Sequence, residues 1–279
     1  MILQSRTKKM KVDKPLVMGV LNLTPDSFSD GGKFESTEDA VKYAKQMVKD
    51  GADIIDIGGE STGPGSKDVD SKEEFKRVLP VLKALKVPAR VWISIDTYKA
   101  DVARAALKAG ANMVNDVLAL RGDEKMAKLI AKEKVPVVLM YSKDDSGRTS
   151  RKKPKYENVV DEVQKFLKKR IKVAKEAGIK DDQIVLDPGQ GAFVSMDAEP
   201  SLKLLKNLKK FKAFGYPVLI GSSRKSFIGE TLDLPLEERL EGSLACAVAA
   251  VLNGATIIRA HDVKETRRAV DMVWAIKNA

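Results

Sequence analysis

The fold class this sequence predicts is an α/β (β/α)8 barrel, built as a single domain over residues 1–279. Three observations carry it. Short apolar, β-branched runs recur eight times, helical patterns lie between them, and several runs end in a residue that does not belong in an apolar core. Alternating strands and helices imply parallel strands joined by crossover helices. An open doubly wound sheet is the alternative, but eight evenly spaced units in 279 residues favour closure.

The first run, 16–22, stays apolar until Asn22, as a buried strand would that delivers an amide to its carboxyl end. Beyond it lies a loop dense in oxygen ligands around one aromatic, with Asp26, Ser27, Phe28, Ser29, Asp30 and Gly31-Gly32, and then a helical pattern at 38–50. The second run, 53–58, contains Asp56 and leads to a helix at 72–86. Val-Trp-Ile-Ser-Ile-Asp at 91–96 ends on Asp96 and precedes a helix at 99–109. The fourth run, 113–117, holds Asn115 and Asp116 before a helix at 123–133. The fifth, 135–140, ends at Met140, and a long helix at 158–177 follows. Ile-Val-Leu-Asp at 184–187 ends on Asp187, with a helix at 199–212. The seventh run, 217–221, opens into Gly221-Ser-Ser-Arg-Lys-Ser-Phe-Ile-Gly229, and a small-residue helix spans 237–253. The eighth, 256–260, carries Arg259 with His261 just past it, and the last helix covers 263–277.

In a barrel those strand ends converge on one face, where active sites lie. Asp96, Asn115 and Asp187 offer acceptors and one amide with both edges, a set that suits a planar heterocycle with adjacent N–H and C=O groups. Lys225 follows the seventh strand and either donates to such a ring or belongs to a plain basic turn. His261 is the only histidine. It alternates with Ala260, so its side chain points the same way as that of Arg259, and the two suit a phosphate or diphosphate. Asn22, with loop carboxylates, supplies hard oxygen ligands for Mg2+, whereas the chain has no Cys/His cluster for zinc. A heterocycle pocket beside a Mg-diphosphate clamp suggests breaking a C–O bond, with diphosphate leaving and a nucleophile attacking the carbon.

The formal charge of +11 comes largely from lysines at helix-face spacings, as in 165–175 and 203–212. With aromatics at only 5%, a nucleic-acid surface is not expected. A positive field favours a small anionic substrate. The lone cysteine, Cys246, excludes an internal disulfide. With no signal-peptide core and no membrane-length apolar run, the expectation is a cytoplasmic protein without a membrane partner.

Taken together, Met18–Gly32, Gly51–Thr62, Ser94–Thr97, Asn115-Asp116, Leu186–Gly189, Ser223–Lys225 and Arg259–His261 resemble the dihydropteroate synthase family in order and spacing, from about residue 16 to 276. The resemblance implies a (β/α)8 barrel that joins 6-hydroxymethyl-7,8-dihydropterin diphosphate to p-aminobenzoate in folate synthesis, with Mg2+ and as a homodimer. It implies a pterin site of Asp96, Asn115, Asp187 and Lys225, with Asp56 also among the substrate-binding residues and Met140 in the wall. Asn22, Thr62, Arg259 and His261 would hold the diphosphate and Mg2+, with Asn22 as the metal ligand. Phe28, Asp30, Pro64 and Ser226 would line the p-aminobenzoate side. The catalytic set would be Asn22, Asp30, Asp96, Lys225, Arg259 and His261.

The chain also departs from that family. Gly63 stands where Arg usually precedes Pro64, and Tyr141 where His is usual. After Asp187-Pro-Gly the chain reads Gln190-Gly-Ala-Phe-Val-Ser195, which displaces a phenylalanine to position 193 and removes a lysine. The loop that follows the fifth strand, 142–155, is unusually basic. These features are similar to sulfonamide-insensitive members, in which Phe193 would narrow the outer pocket against a bulkier drug. The alternatives are a non-catalytic pterin-binding paralogue and a pterin-dependent methyltransferase.

Overall fold

The computed structural model describes residues 1–24 and 36–279. The chain begins with an antiparallel hairpin, β1 (Ile2–Ser5) and β2 (Lys8–Lys11). Barrel strands and helices then alternate: β3 (Leu16–Asn22), α1 (Thr37–Lys49), β4 (Ile54–Gly58), α2 (Ser71–Ala84), β5 (Trp92–Asp96), α3 (Ala100–Lys108), β6 (Met113–Asp116), α4 (Glu124–Glu133), β7 (Val137–Met140) and α5 (Val159–Glu176). They continue as β8 (Ile184–Asp187), α6 (Ala198–Lys206), α7 (Leu208–Lys212), β9 (Leu219–Ile220), α8 (Ser226–Leu232), α9 (Leu240–Leu252), β10 (Ile257–Ala260) and α10 (Val263–Lys277).

The eight barrel strands pair in parallel in the order β8-β7-β6-β5-β4-β3-β10-β9. A parallel bridge between Leu186 and Val218 joins the two ends, and the Leu186 N–H donates to the Pro217 carbonyl at 2.9 Å. The predicted closure therefore holds. Helix starts follow local chemistry: Ser36 accepts from the Asp39 N–H at 3.1 Å and Asp70 from the Glu73 N–H at 2.8 Å, the bonds by which such caps satisfy first-turn donors.

The hairpin was not foreseen. Its apolar residues, Leu3, Met10 and Val12, are scattered among lysines in segments too short to show a period. They bury against Leu16, Met18, Ile54, Trp92, Met113, Val138, Val185, Leu219 and Ile257, plugging the amino-terminal end of the barrel. Burial of each such side chain contributes about 2 kcal/mol. The expected helix at 199–212 divides at Asn207 into α6 and α7, and the helix at 237–253 begins later, at Leu240, after a short 3-10 turn. The seventh strand shrinks to Leu219–Ile220.

The plug residues mark the inward face of each strand. Side chains alternate along a strand, so the next inward positions are Asp56, Ser94, Asn115, Met140, Asp187, Gly221 and Arg259. One step further lie Asn22, Asp96, Val117 and His261. A dry apolar layer at the bottom thus passes upward into a polar one. Among the described residues no helix is long and apolar enough to cross a membrane.

Candidate active site

The polar layer opens into a cavity of about 550 Å3 at the carboxyl ends of the strands. Beneath its floor, one carboxylate orients two other groups. Asp56 Oδ2 accepts from Arg259 Nε at 2.7 Å and from Asn115 Nδ2 at 3.0 Å. Only an amide N–H2 can face a carboxylate, so Asn115 is left presenting its carbonyl oxygen. Arg259 Nη2 donates in turn to Asp96 Oδ2 at 2.8 Å. Burial and the neighbouring Asp56 charge push the Asp96 carboxyl up, against the pull of Arg259.

Asp187 closes the other side of the floor. Its Oδ1 accepts from the Gly189 N–H at 2.8 Å. Gly189 has φ +75°, and a Cβ there would stand 2.6 Å from the Tyr141 carbonyl oxygen; the turn requires glycine. Burial pushes Asp187 up to about 6, opposed by the Lys225 charge. Burial likewise draws Lys225 down to about 8, opposed by Asp187. The Lys225 ammonium donates to the Gln190 carbonyl at 3.1 Å.

The basic turn before it divides the labour of its residues. Both Arg224 and Lys225 line the cavity, but Arg224, held at φ +57°, is tied by its Nε to Asp262 Oδ2 at 2.8 Å. Ser223 Oγ accepts from the His261 backbone N–H at 3.2 Å and pairs with His261 Nδ1 at 3.0 Å. When the hydroxyl donates to Nδ1, the ring proton sits on Nε2. Asn22, Thr62, Arg259 and His261 all reach the cavity, Asn22 and Arg259 from the neighbouring strands β3 and β10.

The outer wall comes from loops: Thr62, Gly63 and Pro64 after β4, Ala192 and Phe193 after β8, Ser226 at the start of α8, and Arg151 after β7. Met140 packs with Val117 and Leu118 against Phe193 and Tyr98. The Lys225 ammonium lies 5.2 Å from the centre of the Phe193 ring, a cation–π contact.

The family described as "Pterin binding enzyme" matches residues 18–261. The chain is 46% identical to the dihydropteroate synthase of Clostridium beijerinckii, over 93% of each chain. A Yersinia pestis dihydropteroate synthase structure with a sulfonamide drug complex superposes with a TM-score of 0.93 at 39% identity, covering 100% of both chains. A Xanthomonas albilineans dihydropteroate synthase with 4-aminobenzoic acid gives 0.91 at 40% identity, covering 100% of this chain and 98% of that one. The chain belongs to the pterin-binding enzyme family.

As a member of the pterin-binding family it gathers most of the sequence-predicted residues in one cavity: Asn22, Thr62, Pro64, Asp96, Asn115, Met140, Asp187, Phe193, Lys225, Ser226, Arg259 and His261. Phe28 and Asp30 lie outside the described residues. Asp56, expected among the substrate-binding residues, is not one of the cavity-lining residues: it is wholly buried beneath the cavity and acts on Asn115 and Arg259. Arg259 is shared between the predicted anion clamp and the two floor carboxylates.

Sequence reasoning missed an ion cluster under the β4 loop. The Lys99 ammonium donates to Glu60 Oε2 at 2.5 Å and Glu74 Oε2 at 2.7 Å, and the Tyr98 hydroxyl donates to Glu60 Oε1 at 3.2 Å. Nothing in the local pattern of Tyr98-Lys99 distinguishes it from a solvated helix start. Tyr141 proves to be outside the site. It lies between β7 and α5, edge-on to Phe166 at 5.1 Å, with its hydroxyl donating to Glu162 at 3.1 Å.

Proposed function

We propose that the chain is a transferase that joins 6-hydroxymethyl-7,8-dihydropterin diphosphate to p-aminobenzoate, giving 7,8-dihydropteroate and diphosphate in folate synthesis. The observation that carries this reading is the single cavity in which Asp96, Asn115, Asp187 and Lys225 adjoin Arg259 and His261. Relatives named dihydropteroate synthase along almost the whole chain support it.

The floor residues recognise a flat heterocycle by its edges. Asp187 as carboxylate accepts from ring N–H groups, Asn115 presents its carbonyl, and Lys225 as ammonium donates to a ring acceptor. Arg259 and His261 take the diphosphate charge that grows as the methylene C–O bond breaks. The p-aminobenzoate nitrogen forms the new C–N bond, its proton passes to solvent, and the C–O electron pair leaves with diphosphate. Such catalysis consists of positioning and electrostatic stabilisation.

The donor chemistry fits Mg2+, which takes one or two protein oxygens and completes its shell with phosphate oxygens and water. The Asn22 amide oxygen would hold it, and the ion would neutralise diphosphate charge. Among the described residues no group of three or more His, Cys, Asp or Glu forms a metal cage of its own. The positive net charge of +11 suits the anionic substrates, and a cytoplasmic location belongs to this reading. Exposed Leu252, Met272 and Ile276 on the packed pair α9 and α10 support a homodimer through that face. Phe193 on the acceptor wall supports reduced sulfonamide affinity.

The deciding experiment follows diphosphate release from the pterin diphosphate with and without p-aminobenzoate. Release that requires p-aminobenzoate is expected. Pterin binding without turnover would make the chain a non-catalytic paralogue. An inhibition constant for sulfamethoxazole like that of an ordinary homologue would remove the sulfonamide part alone.

A further inference from the structure

The basic loop after β7 is tied to both walls of the acceptor side. Lys143 is at its root, with only 5% of the side chain exposed. Its ammonium donates to the Ala192 carbonyl at 2.6 Å, to Asp144 Oδ2 at 2.7 Å and to the Ser150 carbonyl at 2.9 Å. An ammonium has three donors, and all three are used. Asp144 accepts further from the Ser150 N–H at 2.8 Å and the Ser150 hydroxyl at 2.7 Å, which folds the loop back on itself.

The grip on the β8 loop is continuous. The Lys143 N–H donates to the Phe193 carbonyl at 2.9 Å, and the Tyr156 hydroxyl donates to the Val194 carbonyl at 2.6 Å. Three consecutive carbonyls, those of Ala192, Phe193 and Val194, therefore end on donors from the segment after β7. At its other side the same loop reaches the β4 loop. The Thr149 N–H and hydroxyl both donate to the Thr62 carbonyl, at 3.0 and 3.1 Å.

We infer that Lys143 is a positioning residue for acceptor selection: it pins the backbone around Phe193, and so sets the gap between that ring and the Thr62–Pro64 wall. The inference rests on the p-aminobenzoate reading above. Lys143 does not line the cavity; it acts through Phe193. Replacing its ammonium by a methyl-capped chain would strand the Ala192 carbonyl and Asp144, and the β8 loop would relax outward. The floor groups would keep their geometry, so binding of the acceptor changes and the chemical step does not.

The test uses the full chain, with p-aminobenzoate as substrate and sulfamethoxazole as a bulkier competitor. Lys143→Met is expected to raise KM for p-aminobenzoate about fivefold and to lower the ratio of the sulfamethoxazole inhibition constant to that KM about tenfold, a loss in line with removal of one charge-assisted hydrogen bond. The kcat should stay within about twofold, and Lys143→Arg should recover most of the ratio. If Lys143→Met does not fold, Tyr156→Phe removes only one hydroxyl donor and should move the same ratio about threefold. An unchanged ratio in the folded variants, or a fall in kcat with KM unaltered, would overturn the inference while leaving the synthase reading intact. Absence of p-aminobenzoate-dependent release in the parent chain would remove both.

Discussion

Asp96, Asn115 and Asp187 on the cavity floor leave strands that are paired to neighbours, whereas Pro64 and Phe193 on the outer wall stand on loops held by side chains from elsewhere. The floor inherits its geometry from the sheet register. Alternation aims each polar side chain inward, and short carboxylate contacts then fix its orientation. The outer wall has no register to inherit. Its backbone is set by one loop that reaches both sides, through Lys143 and Thr149. A floor built this way tolerates little change in its chemistry, while a wall built this way can change its shape without disturbing the floor. The departures from the family pattern at Gly63, Ala192 and Phe193 all fall on the wall.

That contrast can be broken most directly at Asp56. Asp56→Ala takes one of two carboxylates from the Arg259 guanidinium and the acceptor from the Asn115 amide, and loss of one partner of a buried ion pair costs about 3–5 kcal/mol. Urea unfolding should show a fall of that size. An unfolding free energy within about 1 kcal/mol of the parent would mean that Asp96 alone satisfies Arg259.

A smaller but clearer loss is expected at the ring-binding edge. Lys225→Met removes a charged donor and should lower kcat/KM about 100-fold, near the upper end for one charged hydrogen bond. The pH profile sharpens the same point. Burial pushes Asp187 up to about 6 and draws Lys225 down to about 8. The active form of the free protein needs Asp187 ionised and Lys225 protonated. Accordingly kcat/KM should fall as pH drops through about 6 and again as it rises through about 8. In Lys225→Met the alkaline limb should vanish, and its persistence would assign that limb to another group.

On the wall, Phe193→Gly should lower the sulfamethoxazole inhibition constant about tenfold, with kcat changed less than about threefold, because one side chain is removed from the outer pocket and none from the floor. Equal losses in kcat and drug affinity would erase the distinction between wall and floor. The smallest effect belongs to Tyr141→Phe. Its hydroxyl donates to Glu162 behind β7, so thermal unfolding should report about 1 kcal/mol lost, with KM for p-aminobenzoate unchanged.

The sequence by itself determined the barrel and the chemistry of its floor. Eight β-branched runs separated by helical spacing leave few parallel arrangements, and a polar residue at the end of an apolar run has one place to go. Asn22, Asp96, Asn115, Asp187, Arg259 and His261 were legible for that reason. The hairpin plug was not, because three apolar side chains among lysines have no period until a barrel end exists for them to fill. Tertiary structure alone decided that Asp56 works from beneath the cavity, that Arg259 spans two carboxylates, and that Glu60, Glu74 and Lys99 form one cluster. It also decided the role of the basic loop after β7. Read along the chain, Lys143 is one lysine among many; its burial and its bond to Ala192 exist only because the turn of the barrel carries β8 past β7. Local sequence sets which side chains can do chemistry, but contacts between distant segments set which of them meet.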